Sequence, residues 1–120
     1  MPSDRSRQAL HDIRENARLA LEFAAGLDVV GFARDRRTVY AVTRCLEIIP
    51  EASRRLDTVV RERHPSLPWR AIMGSGNIDR HDYDNVAEEQ LWRTVNHSLP
   101  DLIAAMNEEL GAVPERPAEA

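Results

Sequence analysis

A chain of 120 residues supports one hydrophobic core and is too short for two. Its formal net charge of −4 excludes an indiscriminate nucleic-acid binder, whose affinity rests on a broad cationic surface neutralising phosphates, and leaves room only for a local cationic pocket. Charged residues make up 30% and aromatic residues 5%, so the interior has to be aliphatic; helix formers dominate and β-branched clusters are few, which predicts an all-α fold.

All sixteen basic residues are arginine, a bias that a GC-rich genome explains without selection for guanidinium chemistry. No apolar run approaches the roughly 20 residues that span a bilayer, and the mixed Asp4–Arg5–Arg7 start is unlike the apolar region of a signal peptide. A cytoplasmic protein is expected.

Taken in order, Leu10, Ile13, Ala17, Leu21 and Ala24 recur at three- and four-residue steps and predict a first amphipathic helix from Asp4 to about Ala25, ending at Gly26. Asp28 is placed to cap a short turn carrying Val29, Val30 and Phe32 into the core, and Asp35 to cap the next helix. From Asp35 to Arg63 the stripe Val39, Val42, Leu46, Ile49, Leu56 and Val60 stays in phase. That phase predicts one long helix bent at Pro50 rather than broken there. Cys45 falls on the stripe as a buried structural thiol, and Tyr40, Trp69 and Trp92 also read as core anchors.

His64-Pro65-Ser66-Leu67-Pro68 is a connection, because its two prolines forbid continued helix. Pro68 suits the first turn of the following helix, with Trp69, Ile72 and Met73 on its apolar side. Leu91, Val95, Leu99, Leu102, Met106 and Leu110 make the final helix, with a kink predicted at Pro100. The expected division is a helical domain over 1–111 and a disordered tail over 112–120, where Pro114 and Pro117 lie among Glu and Ala.

The chemistry gathers in Gly76-Asn77-Ile78-Asp79-Arg80-His81-Asp82-Tyr83. On a helix running from Pro68 to His81, Asn77 and His81 sit one turn apart with Arg80 on a neighbouring face. An amide, a cation and an imidazole on one edge make a candidate phosphate site, with Tyr83 just past the helix end. The plainer readings are an Arg80–Asp84 ion pair and a half-buried Tyr83. No metal set is expected, since His11, His64, His81 and His97 are scattered and no Cys pair exists. A P-loop and a serine hydrolase lack their motifs, and no cofactor is implied.

These pieces together resemble the HepT-like proteins of the HEPN superfamily. The resemblance rests on Arg37-Thr38-Val39-Tyr40-Ala41-Val42 with Leu46-Glu47-Ile48-Ile49, then His64-Pro65 and Leu67-Pro68-Trp69-Arg70. It continues through Asn77 with Arg80-His81-Asp82-Tyr83, then Leu91-Trp92-Arg93-Thr94-Val95 and Leu99-Pro100. It implies an up-and-down bundle of four or five helices, homodimeric, acting as the toxin-type component of a toxin–antitoxin pair with a nucleotidyltransferase antitoxin. The activity implied is metal-independent RNA cleavage at the dimer interface.

In that family's motif Asn77 falls on the polar position, His81 on the histidine and Tyr83 on the tyrosine to which the partner attaches AMP. The resemblance thus implies His81 and Asn77 as catalytic residues and Tyr83 as a nucleotide contact; beside them the residues themselves offer Arg80 as the catalytic cation next to His81 and Arg70 as a further candidate phosphate ligand. The motif's arginine falls on Gly76, which leaves open an alternative: a non-catalytic binding module that kept fold and partners and lost cleavage.

Overall fold

In a computed structural model the described residues are 3–74 and 85–111. Helix α1 spans Asp4–Ala24. Ser3 caps it, its hydroxyl accepting from the Ser6 amide at 3.1 Å, which satisfies one of the four amides every helix start leaves open. Ala9, Leu10, Ile13, Ala17, Ala20 and Ala24 form its buried stripe. The chain then turns at Gly26, whose φ of +80° is strained for any residue with a Cβ.

Helix α2, Val29–Arg34, is capped by Asp28, which accepts from the Gly31 amide at 2.7 Å. Its first turn differs from expectation: Phe32 is fully buried but Val30 is 54% exposed. Six residues turn only one narrow face inward, and Phe32 occupies it.

Helix α3, Arg36–Arg54, starts at Asp35, which caps the Thr38 amide at 3.2 Å as its spacing implied. Pro50 lies inside this helix, and the break comes instead at residues 55–57, before α4, Thr58–Glu62. The cause is tertiary. The Asp57 amide donates to the buried Ser6 hydroxyl at 3.1 Å, and the Asp57 carboxylate accepts from the Ser3 amide at 3.2 Å. Arg61 collects the freed carbonyl of Leu56 at 2.9 Å. A side-chain clasp from α1 thus competes with helix continuation, a distance of about fifty residues that periodicity does not register.

Tyr40 corrects another expectation. It is 61% exposed, because Val39, Val42, Cys45, Leu46 and Ile49 already fill the inward stripe of α3. Cys45 is buried as expected, and burial pushes its thiol up.

After the 64–68 connection come α5, Trp69–Gly74, and α6, Asn85–Arg93. A π turn over Thr94–Ser98 joins α6 to α7, Leu99–Leu110. Pro100 has no amide to donate to the preceding turn, and the Leu99 amide reaches five residues back to Thr94. The anticipated kink is therefore taken up as a widened turn just before the proline.

The bonds between helices give the layout. Helix α1 packs on α3 and α7. Its start meets the end of α3 through Ser6 and Asp57, so the two run antiparallel. The Trp92 indole on α6 donates to the Leu27 carbonyl at 3.0 Å, and Arg14 donates to Asn107 at 3.0 Å and to the Gly111 carbonyl at 2.6 Å. The final helical run therefore also passes antiparallel to α1. The described residues form the expected all-α bundle, and among them no helix is long and apolar enough to cross a membrane.

Candidate functional site

The segment singled out by its chemistry, Gly76 to Tyr83 with Asn77, Arg80 and His81, lies outside the described residues. The frame on either side is described. Arg70 stands exposed on the first turn of α5, and Trp69 and Ile72, on the same helix, pack against the core.

Two devices hold α5. At its start the Trp69 indole donates to the His64 carbonyl at 3.0 Å, and the Ile72 amide returns to the Pro68 carbonyl at 2.9 Å. The second is the Arg54 guanidinium on α3, which donates to the Met73 carbonyl at 2.5 Å and ties α5 to α3.

Behind the first device lies a charged cluster. His64 Nε2 is 2.7 Å from Glu109 Oε2, and its Nδ1 is 3.4 Å from Glu108. Arg63 grips Glu109 with two nitrogens, at 3.0 and 2.5 Å. The Arg63 bond first, then that of His64, hold the Glu109 carboxyl at about 2, well below its ordinary value. The turn leading into α5 is thereby pinned to the last turn of α7.

Between this turn, the π segment and α7 a cleft of about 750 Å3 opens. Leu46, Ile49 and Leu102 line it together with His97, Asp101 and Glu108. Among the described residues no group of three His, Cys, Asp or Glu is arranged to hold a metal ion.

Sequence reasoning missed the roles of His64, Glu109 and Arg54. His64 and Glu109 are forty-five positions apart, and a lone histidine before a proline gives no sign of a distant carboxylate. Asp35 was legible from local spacing; hydrogen bonds from Thr38, with a smaller contribution from Arg37, lower its carboxyl.

A family model described as ribonuclease HepT-like matches residues 13–109. The chain belongs to the HepT-like family. Its relatives include a protein of Methanocaldococcus jannaschii named as a candidate RNase, 38% identical over 93 residues, covering 78% of this chain and 85% of that one. A protein of Thermococcus cleftensis named as a candidate ribonuclease HepT is 37% identical over 93 residues, covering 78% and 84%. A candidate RNase of Caldanaerobacter subterraneus subsp. tengcongensis is 31% identical over 104 residues, covering 87% and 93%. No solved structure matches the chain. The HepT-like match runs through α3, the 64–68 turn, α5 and α6, so the frame described above and the Gly76–Tyr83 segment both fall within it.

Proposed function

We propose that this HepT-like chain is an endoribonuclease that works without a metal ion and is the toxin-type member of a toxin–antitoxin pair. The observation that carries the reading is the Asn77-x3-His81-x-Tyr83 spacing inside a chain whose relatives are named for RNase activity. Cleavage begins when a base takes the proton of a ribose 2′-hydroxyl. The resulting oxyanion attacks the adjacent phosphate, and an acid protonates the departing 5′-oxygen. An imidazole suits both proton transfers near neutral pH; His81 is assigned this work, with Asn77 and Arg80 stabilising the phosphorane oxygens and Arg70 as a further phosphate contact.

One imidazole does not readily serve as base and acid in a single passage. A homodimer with two-fold symmetry, bringing two copies of the segment together, supplies both. Tyr83 is the nucleotide contact and the acceptor of AMP from a nucleotidyltransferase antitoxin, which silences the enzyme. The helical domain over 1–111 carries all of these groups.

Gly76 favours a second reading, a binding module that retains RNA or its partner without cutting. It stands where the family motif has arginine, and no guanidinium can arise from it. Gly76→Arg separates the two. A large gain in RNA cleavage over an inactive wild type supports the module, and little change over an active wild type supports the enzyme.

A further inference from the structure

The first three turns of α3 carry an arrangement that helix stability does not explain. Arg36 and Arg37 occupy the first turn of this 19-residue helix, and that turn holds no acidic residue. The N-terminal end of a helix carries the positive end of its dipole, so cations there are disfavoured by a few tenths of a kcal/mol each. Asp35 offsets part of this by capping. Local rules broken with no structural gain mark positions kept for another purpose.

Tyr40 lies one turn on and is 61% exposed. Its neighbours at three and four residues are Arg36, Arg37, Thr43 and Arg44, the positions that share its side of the helix. All three arginines are exposed. Among the described residues no ion pair holds Arg36 or Arg37, and Arg44 has only a loose 3.6 Å pairing with Glu47. From Arg36 to Arg44 the stripe rises about 12 Å. A tyrosine 61% exposed thus stands among three exposed guanidiniums, next to a positive helix end, on a protein of net charge −4.

We propose that the Arg36–Arg37–Tyr40–Arg44 face of α3 is a binding surface for single-stranded RNA, holding substrate outside the segment that carries His81. The surface rests on the reading that this chain acts on RNA, and adds to it where the strand lies. The arginines take phosphates and Tyr40 stacks one base, the combination by which proteins track a single strand without base-specific hydrogen bonds. A protein partner suits the face less well. No aliphatic side chain flanks Tyr40 on this stripe, whereas protein interfaces bury an apolar centre depleted of charge.

The test is fluorescence anisotropy of the full chain with a labelled 2′-O-methyl oligoribonucleotide, which cannot be cut because its 2′-oxygens are methylated. Wild type is expected to bind, with affinity falling as salt rises. Arg36→Glu with Arg37→Glu should weaken binding at least tenfold and make the salt slope shallower by about 1.4, at roughly 0.7 per phosphate contact on single strands. The same double variant should melt no lower than wild type, because acidic residues suit a helix start; lost binding is then not lost folding. Tyr40→Ala should weaken binding at least fivefold, and Tyr40→Phe should restore most of it.

Arg5→Glu with Arg7→Glu, on α1, is the control and should bind as wild type does. The proposal is overturned if wild type does not bind, or if control and α3 variants lose equally. It is also overturned if Tyr40→Ala leaves RNA affinity intact and changes only the sedimentation coefficient, which would make the face a contact between copies of the chain. Cleavage of unmodified RNA is scored separately. Binding without cleavage leaves this surface standing and removes the enzyme, while cleavage unaffected by the α3 variants does the reverse.

Discussion

His64 Nε2 lies 2.7 Å from Glu109 Oε2, and both side chains are 8% exposed. This pair joins the turn before α5 to the end of α7, and Arg63 closes the cluster from the side. Removing the Glu109 carboxylate leaves the Arg63 guanidinium and the His64 ring without the acceptor that both now hold.

Glu109→Gln should therefore lower stability at neutral pH, by about 2 kcal/mol once the partial exposure of Arg63 is allowed for. The carboxyl sits at about 2 in the folded chain against an ordinary 4.5. Its folded value is depressed, so the stabilisation is complete above about 4.5 and fades as pH falls towards 2. Urea melts from pH 7 to pH 2 should show the gap between wild type and variant constant above pH 5 and closing across that window.

Trp69→Phe keeps the ring against the core and deletes the indole donor to the His64 carbonyl. A loss of about 1 kcal/mol is expected. If α5 positions the neighbouring segment, RNA turnover should fall more than RNA binding, which a comparison of kcat with KM reads directly.

Ser6→Ala removes the acceptor of the Asp57 amide, leaving a donor unsatisfied at a part-buried site. The cost should be about 1–2 kcal/mol. Hydrogen exchange should show the Asp57 amide losing protection while the amides of α1 keep theirs.

What could be read in advance follows from the range of the interactions responsible. The Asp28 and Asp35 caps, the end of α1 at Gly26 and the 64–68 connection all depend on residues a few positions apart, and all are found where spacing placed them. The break at residues 55–57 and the His64–Glu109 pair depend on partners about fifty positions away, and neither leaves a periodic trace. Tyr40 was misread because its position is in phase with a wide apolar stripe; the width of that stripe exceeds the face that α1 actually covers, so the residue at its margin stays in solvent. Of the residues proposed for the site, Arg70 is described and exposed on α5, while the residues from Gly76 to Tyr83 lie outside the described segments.

On the proposed reading Tyr83→Phe, which keeps the ring and removes the hydroxyl, should abolish AMP transfer by a nucleotidyltransferase partner. Intact-mass spectrometry after incubation with that partner and ATP reads the addition on wild type and its absence on the variant.

The central claim is that the imidazole of His81 moves the protons of RNA cleavage, and single-turnover cleavage of an unmodified oligoribonucleotide in excess chelator tests it most directly. Wild type should cut, leaving a 2′,3′-cyclic phosphate, and His81→Ala should cut 10²–10⁴-fold more slowly while binding the 2′-O-methyl strand as well as wild type. Equal rates for the two proteins, or no cleavage by a folded wild type, would contradict it.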